Sequence, residues 1–282
     1  MKIDEVCKIF QESELDLMCP VCGASFGMSG QKSLVCANHH CFDFAAKGYV
    51  NFIPNQKQAS ETYSKGLFES RAAVFEAGAY DKVYDEIYSI ILSKFGDAPK
   101  VNLLDVGCGE GYYAARLSRM PGINVFAIDI IKDAILASCK RNAPAKWMVA
   151  DLTRIPLREG SVDVLLNVLA SANYAEFKRV LSEKGIVIKA IPGNDYLKEI
   201  RELLKPQLRN QEYSNENVAE YFEKQLKIIE KRTISYPFAV SAHHLEHFMQ
   251  MTPMTAGTDA KNLDYGKISS ITIHLDILVG ES

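Results

Sequence analysis

One segment limits the choice of fold more than any other: LLDVGCGEGYYAARL, residues 103–117. An apolar run reaches Asp105, glycines follow at 107, 109 and 111, and a helical pattern starts after them. Glycine permits tight turns and lets the backbone approach a ligand closely. Further short apolar runs lie at 101–106 (VNLLDV), 123–130 (INVFAIDI), 145–151 (AKWMVAD), 162–169 (VDVLLNVL) and 185–191 (GIVIKAI). Nearly continuous apolar runs suit parallel strands buried on both faces. Their alternation with helical stretches predicts an α/β chain with a doubly wound sheet.

The glycine spacing narrows the ligand. A dinucleotide fingerprint needs a third glycine at position 112, which is Tyr, and a phosphate-binding P-loop needs a lysine that is absent. Three acids end three successive runs: Asp105, Asp129 and Asp151. Asp129 stands where such a sheet places an acid for ribose hydroxyls. Asp151 is placed for an adenine amino group, or it caps a helix. The segment resembles motif I of the class I (Rossmann-like) S-adenosylmethionine-dependent methyltransferases. That resemblance implies that Asp105, Gly107, Gly109 and Gly111, with Tyr112 beside them, surround the methionine part of the cofactor.

A second feature lies upstream. Cys19-x2-Cys22 and Cys36-x3-His40 have zinc-ribbon or knuckle spacing. Zinc takes four such ligands in a tetrahedron. His39 and Cys41 flank His40, so any of the three can supply the fourth ligand, and His40 is favoured. The alternative is a group of buried thiols. Cys7, Cys108 and Cys139 are isolated and read as structural.

The rest of the chain sets the frame. Its 282 residues suit one large domain and a smaller one. A net charge of −3 and a pI of about 6.1 show no basic excess, which weakens nucleic-acid binding without removing it. The first residues carry acids where a secretory signal needs an apolar core. No apolar run approaches a membrane span. A cytosolic, reducing setting is expected, where seven cysteines suggest metal ligands or thiols before disulfides.

Residues 1–18 read as an amphipathic segment or a disordered lead, and 55–65 as a polar linker. A helical pattern from Leu67 breaks at Gly78. Residues 194–224 read as charged helices over the carboxyl edge of the sheet. Two last strands are expected at 226–236 and 268–280, with a helix at 240–251 between them.

Taken together, CPVC, C…HHCFDFAAKGYVNFIP, SRAAVFEAGAY, LLDVGCGEGYYAARL and QMTPM resemble, in order, the 23S rRNA guanine-N1-methyltransferases. Some members of that family confer resistance to tylosin-type macrolides. The resemblance implies a zinc-binding rRNA-recognition domain over 1–54, helices linking to and covering the cofactor over 55–100, and a methyltransferase domain over 101–282. It implies zinc on Cys19, Cys22, Cys36 and His40, S-adenosylmethionine as methyl donor, and a domain II hairpin of 23S rRNA as substrate. Arg71, Gly78 and Tyr80 match a helix near the cofactor, and a homodimer with a joint RNA cleft is expected on the same ground.

Guanine N1 must lose its proton to accept a methyl group. Candidates follow the fourth strand: Asn167, Asn173 and Tyr174 as hydrogen-bonding groups and Glu176 as proton acceptor. Each can equally be ordinary loop chemistry. Tyr49, Tyr112 and Tyr113 are candidate stacking platforms or core. Lys198, Arg201, Lys205 and Arg209 recur at helical spacing, facing RNA or solvent. His243 and His247 share a helix face and read as surface or packing residues. No Asn/Asp-Pro-Pro-Tyr motif is present, and no cysteine follows the fourth strand, which argues against exocyclic-amine and pyrimidine C5 methylation. A small-molecule methyltransferase with a zinc knob is the main alternative. A zinc-stabilised RNA-binding protein without catalysis is the third.

Overall fold

The computed structural model describes residues 1–30, 32–53, 63–207, 215–255 and 268–282. The chain begins with α1 (Ile3–Gln11), then four short strands: β1 (Phe26–Ser29), β2 (Ser33–Cys36), β3 (Cys41–Ala45) and β4 (Tyr49–Asn51). Helices α2 (Lys65–Glu76) and α3 (Asp81–Phe95) follow. The alternating part runs β5 (Val101–Val106), α4 (Tyr112–Leu117), β6 (Ile123–Asp129), α5 (Lys132–Cys139), β7 (Lys146–Val149), β8 (Val162–Val168), α6 (Tyr174–Val180) and β9 (Leu181–Pro192). It closes with α7 (Lys198–Leu204), α8 (Glu216–Gln225), β10 (Lys227–Ala239), α9 (Ala242–Met251) and β11 (Ser270–Glu281).

The described strands form one sheet in the order β1-β2-β3-β4-β7-β6-β5-β8-β9-β11-β10. Strands β7, β6, β5, β8 and β9 run parallel to one another, and β11 inserts antiparallel between β9 and β10. The expected runs became these strands because both of their faces are covered. On β5, Leu103 belongs to the core that includes Ile87, Ile90 and Ile91 of α3, while Leu104 belongs to the other core, with Phe10, Phe42 and Phe44. Each of these side chains is nearly or wholly buried. Burying one Leu, Ile or Phe is worth about 1.5–3 kcal/mol.

The amino-terminal segment is built into that sheet. Strand β4 pairs parallel with β7, Tyr49 opposite Trp147 and Val50 opposite Met148, and the Phe52 amide donates to the Val149 carbonyl at 2.9 Å. Phe26, Phe42 and Phe52 pack ring to ring with Phe42–Phe52 centroids 4.9 Å apart. They belong to the core that includes Phe126 and Leu165 of the main sheet. Residues 1–18 are ordered: Phe10 of α1 meets Phe44 edge-on at 5.0 Å. The turn from Met18 also docks on the later chain, its amide donating to the Pro156 carbonyl at 3.1 Å.

Residues 194–224 divide. Helix α7 lies near the carboxyl edge, where the Leu197 amide donates to Thr272 O at 2.9 Å. Helix α8 instead sets Phe222 over Gly280, where an added Cβ would lie 2.8 Å from the ring. Phe222 is the one fully buried residue of α8, and it seats where the opposing residue has no side chain.

Candidate active site and metal centre

The carboxyl ends of β5, β6, β8 and β9 surround a cavity of about 490 Å³. That is the edge where open α/β sheets hold ligands, and the size suits one small molecule. Helices α2 and α9 close its outer side through Phe68, Arg71, Phe75 and Met251.

The glycine turn forms one wall. The Gly107 and Cys108 amides donate to Ile128 O at 2.9 and 3.0 Å, which ties the turn to β6. Gly107, Gly109 and Gly111 all have positive φ, at 72°, 57° and 80°. Gly107 and Gly109 line the cavity. Gly111 does not: a Cβ there would lie 2.7–2.8 Å from Ser138 and Trp147. The missing side chain at Gly111 lets α4 pack against α5 and β7.

Asp105 and Asp129 face the cavity from adjacent strand ends. Asp129 accepts the Gly109 amide at 2.9 Å on Oδ2 and the Ile131 amide at 2.8 Å on Oδ1. Each oxygen keeps a further lone pair for a ligand hydroxyl. Asp105 is 2% exposed, and its Oδ2 has no hydrogen-bond partner among the described residues. Burial first, then the neighbouring Asp129 charge, pushes its carboxyl up to about 8. An orphaned buried carboxyl oxygen beside a second acid asks for a cationic ligand. The ammonium and sulfonium of S-adenosylmethionine fit that demand, and Asp129 fits its ribose.

Arg71 lines the same cavity, its Nη2 donating to Met251 O at 3.2 Å. Tyr80 is fully buried and shares a 2.6 Å hydrogen bond with Tyr196, and both line the cavity. Tyr112 points away: it stacks on Phe75 at 4.7 Å and donates to Asp81 at 2.5 Å. Its neighbour Tyr113 lines the cavity instead, with a buried hydroxyl that has no partner among the described residues. Asp151 stays outside the lining, its Oδ1 accepting the Thr153 amide at 2.8 Å. It holds a turn between two lining residues, Ala150 and Leu152.

The three candidate catalytic residues are occupied elsewhere. Asn167 is fully buried, donating to Val106 O at 3.2 Å and Ser171 O at 2.9 Å and accepting from Lys189. Asn173 caps α6 by accepting the Glu176 amide at 3.3 Å. Glu176 binds Arg179 and the Ile155 amide, and these hydrogen bonds outweigh burial and hold its carboxyl below the usual range. None of the three lines the cavity. A polar residue just after a strand looks ligand-facing in sequence, but here the neighbouring strand and helix consume it.

Other candidates settle similarly. Tyr49 is core, Arg201 donates to Asn194 O, and Arg209 lies outside the described residues. Tyr174 is buried and packs edge-on against Phe177. His243 and His247 approach to 3.3 Å, and His247 also meets Ser70. Cys108 lines the cavity, where burial keeps it a neutral thiol. Glu110, Leu169, Ser171 and Tyr196 line it without having been singled out as cofactor-site residues. Glu110 alone had a visible signal, its place inside the glycine motif. It is buried and paired with Arg141.

The metal centre stands apart from this cavity. One ligand atom from each of Cys19, Cys22, Cys36 and His40 lies within 4.8 Å of the others. Cys22 Sγ and Cys36 Sγ are 3.7 Å apart, and Cys36 Sγ and His40 Nδ1 3.3 Å. A tetrahedron with Zn–S near 2.3 Å and Zn–N near 2.0 Å has edges of about 3.5–3.8 Å. The donors and spacings fit zinc. His40 is the residue of the three that joins the cysteine cluster, while Cys41 is exposed and turns to Asp43 and His39 occupies a turn at φ 63°. The Ala24 amide, then the Asn38 side chain, lower the Cys22 thiol to about 6, which favours the thiolate a metal requires.

Comparison with known proteins agrees with both parts. Residues 17–61 match the family model described as RlmA, N-terminal, a zinc ribbon, and residues 104–189 match one described as Methyltransferase domain. A Bacillus subtilis (strain 168) protein, YxjB, named for 23S rRNA (guanine-N(1)-)-methyltransferase activity, is 33% identical over 271 residues, covering 93% of this chain and 95% of its own. The 23S rRNA (guanine(748)-N(1))-methyltransferase of Streptomyces fradiae is 30% identical over 67% of each chain. A Micromonospora griseorubida protein named for 23S rRNA (guanine-N(1)-)-methyltransferase activity is 29% identical over 65% of this chain and 68% of its own.

Proposed function

Because the chain belongs to the 23S rRNA (guanine-N1)-methyltransferases, we propose that it methylates N1 of a guanine in the domain II hairpin of 23S rRNA, near the peptide exit tunnel. The observation that carries this reading is the likeness over 93% of the chain, which includes the ribbon as well as the cofactor domain. A small-molecule methyltransferase would share the second part and have no need of the first.

S-adenosylmethionine, when bound, supplies an electrophilic methyl group on a sulfonium. Asp105 opposes the cofactor's positive charge, Asp129 takes its ribose hydroxyls, and the glycine turn allows close backbone approach. The carboxylates that line the cavity are Asp105, Glu110 and Asp129, and each is placed for the cofactor or paired with protein groups. No free carboxylate base faces the cavity among the described residues. The chain's own contribution is therefore chiefly orientation, which by itself lowers a barrier substantially. In this reading the N1 proton passes to solvent as the methyl group leaves the sulfonium, and the Tyr113 hydroxyl, without a partner among the described residues, donates to the guanine oxygen that gains charge.

The ribbon, held by zinc, reads the RNA beside the cavity in this proposal. A cytoplasmic setting, a paired arrangement of two chains and a contribution to macrolide resistance belong to the same reading. The test is in vitro methylation of hairpin RNA by the purified protein, followed by nucleoside mass spectrometry. One 1-methylguanosine per hairpin is expected. Label transferred to a cell-extract metabolite, with none in RNA, would overturn the proposal.

A further inference from the structure

Four described residues other than glycine have positive φ: His39, Asn142, Leu169 and Leu197. That region is unfavourable for a leucine side chain. Three of the four are accounted for. His39 sits in the metal-binding turn, asparagine tolerates the conformation, and Leu197 is fully buried, so packing offsets its strain. Leu169 has no such compensation. Its φ is 52°, it is 38% exposed, and it lines the cavity mouth at the end of β8.

The backbone around Leu169 is held from beneath. Its amide donates to Ala190 O at 3.0 Å. Lys189 Nζ donates to Ala170 O at 3.1 Å and to Asn167 Oδ1, and Asn167 Nδ2 donates to Ser171 O at 2.9 Å. Two wholly or nearly buried polar side chains are thus spent on fixing residues 170 and 171. Ala170 Cβ also lies where a Gly107 Cβ would sit, at 2.6 Å, so the strand-end loop rests directly on the cofactor turn. A rigid, strained support for an exposed apolar side chain points to a role for that side chain outside the protein's own core.

A guanine in a hairpin must leave its stack to reach the methyl donor, and the gap left behind must be filled or paid for in lost stacking. Apolar side chains inserted at base steps serve this purpose in other nucleic-acid complexes. We infer that Leu169 is a wedge that takes the stacking place of the target guanine as that base turns into the cavity. This rests on the rRNA reading above. Leu169 acts on the RNA at the mouth, while Lys189 and Asn167 are positioning residues that present it.

The experiment uses the full chain and a domain II hairpin RNA, with a second hairpin carrying 2-aminopurine at the methylated position. For the wild type, binding raises 2-aminopurine emission and the guanine hairpin is methylated. For Leu169→Ala, at saturating hairpin and S-adenosylmethionine, emission does not rise and single-turnover methylation falls at least about tenfold. Leu169→Phe, which restores a stacking surface, recovers emission and rate. Wild-type emission and rate in Leu169→Ala would overturn the inference. So would a parallel loss of cofactor affinity and Tm, which marks a structural residue. A wild type that methylates no hairpin at all would instead overturn the rRNA reading on which the inference rests.

Discussion

Replacing Asp105 with Asn should stabilise the cofactor-free protein while abolishing its response to S-adenosylmethionine. The Asp105 carboxyl is pushed from 3.8 to about 8 by burial and by Asp129. An acid with a raised folded-state value favours the fold most when protonated, below its unfolded value, and that stability is lost as pH rises toward about 8. At pH 7 the loss amounts to about 4 kcal/mol, and at pH 5 to about 2 kcal/mol. Asparagine removes this cost but leaves its own amide short of partners, which returns about 1–3 kcal/mol. The net gain at pH 7 is therefore about 1–3 kcal/mol, or a Tm increase of roughly 2–5 °C. The pH dependence is the sharper readout, because the amide penalty does not titrate. Denaturant unfolding of both proteins from pH 5 to 8 should show the variant's advantage growing at each step. Saturating cofactor should reverse the order. The wild type's affinity should also weaken about tenfold from pH 7 to pH 6, as Asp105 must then release a proton to oppose the cation. An advantage for Asp105→Asn that is flat with pH, or unchanged cofactor affinity in the variant, would refute the reasoning.

Three further outcomes are expected. Cys22→Ser should release zinc and lower Tm by roughly 5–10 °C, because the ribbon shares a core with the main sheet. Calorimetry should still find near wild-type cofactor affinity, since no ribbon residue lines the cavity among the described residues. Gly111→Ala should cost roughly 2–3 kcal/mol in urea unfolding, through a disfavoured φ and the clash with Ser138 and Trp147. Lys189→Met should slow hairpin methylation by unpinning Ala170, with cofactor affinity kept. Burial pulls the Lys189 amine down from 10.5 to about 8, so the wild type should gain stability over this variant as pH rises between those values.

The sheet was legible because its information is local. Each parallel strand is a contiguous apolar run, and the acids at its end mark the ligand edge. Asp105, Gly107, Gly109 and Asp129 all line the cavity, since their place follows from strand direction alone. The candidates that lie outside the cavity lining share a cause: their placement depends on a neighbour far away in the chain. Asn167 looks exposed at a strand end until the β8–β9 register sets Lys189 directly opposite it. Tyr112 and Tyr113 are adjacent and equally apolar, and only the docking of Phe75 from α2 decides which of them faces the cavity.

The ribbon is the most consequential case. Its cysteines were legible, but its place in the sheet was not, because β4 is only three residues long and carries no pattern that announces a parallel partner. Its pairing with β7 makes the ribbon an extension of the catalytic sheet. Met18 and Arg158 add hydrogen bonds between the ribbon's base and the 154–158 turn. A module on a free linker would leave its distance to the cavity variable. Backbone pairing fixes that distance, so RNA held by the ribbon would meet the Leu169 mouth in one register. If that coupling sets the choice of guanine, weakening it should blur the choice before it slows the chemistry. Substituting Val50 with Pro removes the β4 residue opposite Met148 from the ladder. Primer extension on hairpin RNA treated with that variant should show stops at more than one guanine. A single stop, at the wild-type position and reduced in strength alone, would mean that the sheet connection serves stability and that selection lies elsewhere.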